Sequence, residues 1–198
     1  MHNKTIILIF LIALPSLMSA QTKLGPTVKA GYTFADNTSK NFDISGGISP
    51  SFGVTILNEI NYWLSIKSSL RYTFSQIQTT TKPGGLKDQI KGQFIDLIIA
   101  GRFSGFDESS KILPYGIAGL GNSFNLLTKG AESYLSDNKF KAYVPFFTVG
   151  AGTGIKMTFF SEFDFCLTYS RYLAPVLTLP DDSGVRLNMV SLEISALF

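Results

Sequence analysis

Charged residues stand singly along this sequence, at alternate positions between small or polar neighbours. Glu162 and Asp164 are two apart, which places both carboxylates on one face of a strand, where they could act as general acid and base. Cations recur in the same setting elsewhere, and buried charges persist only when they are paired. We therefore predict an ion-pair network rather than an acid–base pair. Its predicted members are Lys29, Lys67, Arg71, Asp96, Arg102, Lys156, Glu162, Asp164 and Glu193.

Nucleophilic and metal chemistry have few candidates. The sequence holds one histidine, His2, and one cysteine, Cys166. Because His2 lies in a segment that we expect to be removed, the mature chain lacks the base of Ser–His–Asp and Cys–His mechanisms and any His-containing zinc site. Cys166 has no visible base and is predicted to be a small buried thiol. The glycine-rich stretches 119–124 and 150–156 lack the spacing and the following helix of nucleotide-binding motifs. We predict that the protein is not an enzyme and has no cofactor or metal.

The first twenty residues have the layout of a secretory signal peptide. Lys4 precedes an apolar run over 6–14, and Ser19-Ala20 supplies small residues before a cleavage site. The run is too short for a membrane-spanning helix, which needs roughly 20 residues, so an N-terminal anchor is the weaker interpretation. We predict a signal peptide over 1–20 and one domain over 21–198. Loss of Lys4 lowers the formal net charge from +3 to +2, too little for a nucleic-acid partner.

Apolar and polar residues alternate with a period of two, which predicts strands. The alternating segments are 28–34, 48–56, 64–74, 95–103, a glycine-rich segment from Tyr115 whose faces are ambiguous, 143–156, 162–170 and 189–198. Long polar connections (35–43, 77–92, 126–141 and 173–185) alternate with short ones (57–61, 104–111 and 158–161). This alternation is typical of an outer-membrane barrel with short periplasmic turns. The prediction is an all-β, eight-stranded, antiparallel up-and-down transmembrane barrel. Pro50 lies within the second strand, where we expect a bulge.

The two faces of the strands differ in side-chain size. Large apolar residues such as Phe52 and Leu70 share one face, which we place toward lipid, and the small polar residues and isolated charges share the other, which we place in the lumen. Arg171 falls on the apolar parity near a strand end, where its side chain could snorkel to the interface. Aromatic residues near strand ends are expected to form interface girdles: Tyr32, Phe34, Tyr62, Trp63, Tyr72, Phe74, Phe94, Phe103, Tyr115, Tyr143, Phe159, Phe160, Tyr169 and Tyr172.

Several stretches carry a family resemblance. They are Lys29-Ala-Gly-Tyr32, Phe94-Ile-Asp-Leu-Ile-Ile-Ala-Gly-Arg-Phe103, Pro114-Tyr-Gly-Ile-Ala-Gly119, Val149-Gly-Ala-Gly152 and Leu167-Thr-Tyr-Ser170. Together they resemble the PorT-like, OmpA/OmpX-sized outer membrane protein β-barrel family common in Bacteroidota. The alternating end Val190-Ser-Leu-Glu-Ile-Ser-Ala-Leu-Phe198 looks like the signal that the barrel assembly machinery reads. The resemblance implies Phe198 as that signal and implies no shared catalytic or ligand residues.

These observations predict a monomeric, non-enzymatic protein of the bacterial outer membrane. Its lumen would be plugged by the ion-pair network, and its outer loops would contact a partner whose identity the sequence does not give. The expected partners are outer-membrane lipid and, during biogenesis, the barrel assembly machinery. One alternative is a porin-like small channel or a transport or secretion component. A second, weaker alternative is a secreted soluble β-barrel with a small apolar ligand in its core.

Overall fold

The structure is a computed structural model that describes residues 21–37, 39–82, 84–85, 87–105, 110–129, 139–158, 161–179 and 183–198. The predicted signal peptide lies outside these residues, as do Phe159 and Phe160. The described strands are β1 (Gln21–Asn37), β2 (Phe42–Ser45), β3 (Gly47–Glu59), β4 (Leu64–Thr81), β5 (Lys87–Ser104), β6 (Ile112–Lys129), β7 (Lys139–Phe140), β8 (Tyr143–Thr158), β9 (Ser161–Tyr172), β10 (Leu177–Thr178) and β11 (Gly184–Leu197). Among the described residues, no helix is long and apolar enough to cross a membrane.

Eight long strands close into an antiparallel barrel, which confirms the predicted fold class. Their order around the wall is β1-β3-β4-β5-β6-β8-β9-β11, and β11 returns to pair with β1 from Thr27↔Ser195 to Asn37↔Val185. The three short strands lie at the end of the barrel with the longer connections. There β2 pairs with β4, and β10 pairs with both β7 and β11. The opposite end carries the short turns, the start of β1 and the chain's C-terminus.

The wall is apolar outside and polar over much of its inside. Large residues such as Ile48, Leu120 and Leu167 are 66%, 65% and 58% exposed, whereas Lys67 and Asp164 are buried. A soluble barrel has the opposite polarity, with an apolar interior and a polar exterior. The structure therefore contradicts the alternative of a secreted soluble β-barrel with a small apolar ligand in its core.

The outward apolar band has the height of a bilayer core. On β4 it runs from Leu64 to Phe74 and gives way to the exposed polar residues Gln76 and Gln78. At about 3.3 Å per residue and a tilt of about 40°, this interval rises roughly 25 Å, the height of the apolar band on membrane barrels. Beyond it, β4 and β5 continue as a polar hairpin.

The long connections are more structured than the sequence suggested. The predicted loop 77–92 consists largely of strand, because β4 extends to Thr81 and β5 starts at Lys87. Its Gln, Thr and Lys residues are typical of a loop, but Gln78, Lys87, Gln89 and Lys91 are exposed on the outward face of strands that extend above the apolar band, and Thr79 is buried on the inward face. The predicted loop 173–185 contains β10 and an apolar stretch that enters the barrel mouth.

The bulge expected in this strand lies just before Pro50. Pairing with β4 stops at Ser45↔Gln78 and resumes at Ser51↔Thr73, so the five residues 46–50 lie opposite the four residues 74–77. Pro50 pairs in unbroken register with Ala30 of β1, and its missing amide proton is tolerated because it precedes the ladder between β3 and β4. Further register shifts lie at Gln93/Phe94 and at Lys156/Thr158.

A charge placed at mid-height on the outward face tests this orientation. Leu70 lies midway along the apolar band of β4 and is 54% exposed. We expect Leu70→Arg to lower the free energy of unfolding by about 2–4 kcal/mol, and Gln78→Arg, on the hairpin, to lower it by about 0–1 kcal/mol. Denaturant unfolding in lipid vesicles measures both, and equal effects would contradict the assigned band.

Candidate functional site

The inward faces of the strands bring most of the predicted charges into the lumen. Because successive side chains on a strand alternate between faces, every charge on the inward parity points into the barrel, where only other inward side chains can pair with it. Eight of the nine predicted members are buried: Lys29, Lys67, Arg71, Asp96, Arg102, Glu162, Asp164 and Glu193. Lys156 is only partly buried and pairs in register with Glu162 at the end with the short turns.

A chain of four charges crosses the middle of the lumen. Lys67 on β4 donates to Asp164 Oδ2 on β9, and its Nζ lies 2.9 Å from Glu193 Oε1 on β11. The other oxygen of the same carboxylate, Glu193 Oε2, accepts from Arg71 Nη1 at 2.5 Å. In the strand order around the wall, β4 lies opposite β9 and three places from β11. The alternation Asp164–Lys67–Glu193–Arg71 therefore ties facing walls together.

A second cluster closes the end with the short turns. Glu162 Oε1 accepts from Arg102 Nη2 at 2.7 Å, and Glu162 Oε2 accepts from Lys23 Nζ at 2.9 Å. Lys23 also donates to Glu59 Oε1 at 2.7 Å. The guanidinium carbon of Arg102 lies 4.1 Å from the centre of the Tyr115 ring, in a cation–π contact. The Glu162 carboxylate is therefore paired with two cations from different strands, Arg102 on β5 and Lys23 on β1.

The sequence did not lead us to predict Lys23 and Glu59 as members of the ion-pair network. Lys23 precedes the alternating segment that begins at Val28, and Glu59 fell in the predicted turn 57–61. Both share the odd-numbered parity of Lys29 and Ser51 on their own strands, so counting outward from those residues would have placed them on the inward face.

Asp96 and Lys29 depart from the expected ion pairing. Asp96 is held by hydroxyls, since Thr73 Oγ1 and Ser123 Oγ each donate to its carboxylate at 2.6 Å. Lys29 makes no ion pair within 4 Å to any residue that the structure describes, although it is buried and lies in register with Glu193. Among the described residues, ion pairs join six of the predicted members: Lys67, Arg71, Arg102, Glu162, Asp164 and Glu193.

The outer part of the lumen is apolar, which the sequence did not lead us to expect. Phe94 and Tyr172, predicted in an interface girdle, are buried inside the barrel, as is Tyr115 farther down. Phe94 has the inward parity of Asp96, so its face was readable from its neighbours. Val176 and its neighbours enter the mouth from the segment after β9. We call this set the apolar plug: Ile77, Ile90, Phe94, Ile98, Val144, Phe146, Tyr172, Val176, Leu177, Leu179, Val185 and Leu187.

The remaining space beside the charges is small. A cavity of about 10 Å³ is lined by residues that include Lys67, Arg71 and Glu193, room for about one water molecule. Among the described residues, no group of three or more His, Cys, Asp or Glu side chains could hold a metal ion. The single cysteine, Cys166, is buried in the wall and faces this cavity. What the arrangement can do chemically is to fill and cross-link the lumen.

Solved structures share this architecture. The outer membrane protein OprG from Pseudomonas aeruginosa matches with a TM-score of 0.63 and 11% identity over 90% of this chain and 96% of that one. Neisserial surface protein A matches with a TM-score of 0.52 and 15% identity over 90% of this chain and 99% of that one. The fold is that of a small outer-membrane barrel. No family model and no curated protein sequence matches the chain, so the PorT-like resemblance stays a prediction.

The shared carboxylate offers a direct test of the network. We expect Glu193→Ala to lower the free energy of unfolding by about 3–5 kcal/mol, because it leaves the buried Arg71 without an ion-pair partner and Lys67 with Asp164 alone. Asp43→Ala is the matched control, since Asp43 pairs with Lys82 at an exposed site and should contribute at most about 1 kcal/mol. Unfolding in detergent measures both. The network would contribute nothing if Glu193→Ala unfolded like the control.

A glycine tests the close fit around Glu162. A Cβ on Gly154 would overlap Glu162 Oε1 and Arg102 Nη2, whereas a Cβ on Gly116 would meet nothing within 4 Å. We expect Gly154→Ala to lower stability by about 1–3 kcal/mol, as overpacking does, and Gly116→Ala to leave it nearly unchanged. Thermal unfolding in the same detergent compares the two variants. Equal melting temperatures would mean that the Arg102–Glu162 pair adjusts without cost.

Proposed function

We propose that this chain is an exported, non-enzymatic barrel of the bacterial outer membrane that acts through its outer loops and outer surface, with a lumen that does not conduct. The observation that carries the proposal is the buried alternation Asp164–Lys67–Glu193–Arg71, which spans the lumen from facing walls. An eight-stranded barrel has an interior just wide enough for side chains. Here these charges fill one level of it, and the apolar plug fills another.

The ion-pair network and the apolar plug block solutes by different means. The ion pairs occupy the lumen with groups that would have to separate before a hydrated ion could pass, and separation would leave buried charges unpaired. The apolar plug offers an ion no hydrogen-bonding partner in place of its hydration shell. Closure at both levels supports a role on the outside of the barrel over the alternative of a small channel or transport component.

The ends of the chain support assembly as a barrel. Phe198 and Leu24 exchange two backbone hydrogen bonds of 3.0 Å, which lock the C-terminus to the first strand. The Phe198 side chain is 66% exposed on the outer wall, where the barrel assembly machinery could read it. Biogenesis by that machinery, after export through a signal peptide over 1–20, belongs to the proposal, as do a monomeric state and contact with outer-membrane lipid.

Conductance distinguishes the closed barrel from the channel. The purified protein should first show a mobility shift between cold and boiled samples on an SDS gel, which establishes an intact barrel. We then expect no stable current steps in planar bilayers, because the lumen is filled at two levels. The double variant Lys67→Ala/Glu193→Ala should stay silent or flicker, since the apolar plug remains. Regular ohmic steps from the unmodified protein would instead establish the channel alternative.

A further inference from the structure

Two arginines lie side by side on the outward face of the wall, at the end with the longer connections. Arg171 is on β9 directly opposite Asn188 of β11, and Arg186 is two residues farther along β11. Both share the outward parity of neighbouring lipid-facing residues, Tyr169 on β9 and Val190 on β11. Diagonal neighbours on adjacent strands are roughly 7–8 Å apart. Two guanidinium groups at that spacing can reach one tetrahedral anion.

Neither guanidinium is committed to a protein acceptor. Arg171 is exposed, and among the described residues neither arginine makes an ion pair or a side-chain hydrogen bond. The Nε of Arg186 is buried without a hydrogen-bond partner. Asp36, which lies opposite Arg186 on β1, accepts instead from Asn188 Nδ2 at 3.0 Å. Arg186 thus makes no ion pair with the carboxylate opposite it, and no described carboxylate lies within ion-pair distance of either arginine.

The height of the pair on the wall indicates what that ligand is. Phe147 on β8 lies in register with Arg171, and its ring centroid is 6.4 Å from that of Tyr169, one outward step below Arg171. Aromatic side chains sit at the headgroup level of membrane proteins. Arg171 therefore lies at this level, and Arg186 lies one outward step beyond Asn188, about 6–7 Å along the strand, so both long side chains can reach lipid phosphates. Arginine binds phosphate in a bidentate manner that lysine cannot reproduce.

We propose that Arg171 and Arg186 form a clamp for a phosphate group of an outer-leaflet lipid. Tyr169 and Phe147 provide the apolar surface on which an acyl chain of the same lipid would lie. The clamp deepens the proposed function, on whose membrane location it rests, because it assigns the chemistry of one lipid contact to two residues.

The test uses the full mature protein in an uncharged detergent and the phosphorylated glycolipid lipid A as the probe. Binding is measured by native mass spectrometry and by the rise in the temperature at which the heat-dependent gel shift occurs. We expect one lipid A to bind each barrel and to raise that temperature. Arg171→Gln/Arg186→Gln should weaken binding at least tenfold. Lys87→Gln/Lys91→Gln, which removes two exposed outward cations of β5, should bind as the unmodified protein does.

Two further arms establish that the ligand is a lipid phosphate. Dephosphorylated lipid A should bind no better to the unmodified protein than to the arginine variant, and millimolar inorganic phosphate should not reproduce the temperature shift. Arg171→Lys/Arg186→Lys should recover only part of the affinity. The clamp is wrong if the Gln variant binds lipid A fully, if dephosphorylated lipid A binds equally well, or if phosphate alone gives the shift. A chain without any heat-dependent mobility shift would instead refute the membrane barrel itself, which separates the two failures.

Discussion

The carboxylate of Glu193, held between Lys67 and Arg71, is the interaction on which the interior depends. A charge inside a narrow barrel is largely shielded from bulk water, and ion pairs across the lumen stabilise most of the charges here. This pairing fixes which residue of β4 stands level with which residue of β9 and β11. A slip of one residue in any ladder would turn these charges toward lipid, where each is costly. The network thus specifies one register, even where a buried ion pair adds little net stability over an apolar substitute.

The interior combines two solutions to the same problem of filling space. Near the short turns, charges and hydroxyls fill it, for example where Thr55 and Ser69 are hydrogen-bonded at 2.9 Å. Toward the longer connections, aromatic and aliphatic side chains of the apolar plug fill it without polar partners. Part of the apolar plug comes from the segment after β9, so the connection between β9 and β11 also packs the interior. The wall can then carry small residues such as Gly121 beside Phe146, because the ring occupies the space that a side chain would need.

The sequence predicted the wall better than its contents. Period-two alternation located all eight barrel strands and predicted for nearly every charge whether it faces the lumen or the outside. It could do so because the direction of a side chain depends only on its position along its own strand. It could not say that Asp96 meets hydroxyls while Asp164 meets Lys67, since partners across a lumen depend on the stagger of all the ladders between them. It also failed where composition misled, as in the polar hairpin over 77–92. The apolar residues Val176, Leu177 and Leu179 were predicted only as part of a loop, because their burial depends on a barrel mouth that exists only after closure.

The pairing of β1 with β11 also determines when the barrel can close during folding. The hydroxyls of Ser195 and Thr27 are hydrogen-bonded across a separation of 168 residues, so the wall cannot close until the last strand of the chain is available. Contacts between distant parts of a chain make folding slow. Until that moment the first strand presents an unpaired edge, a template for wrong partners. A protein built this way depends on being kept apart from its neighbours until β11 has paired with β1.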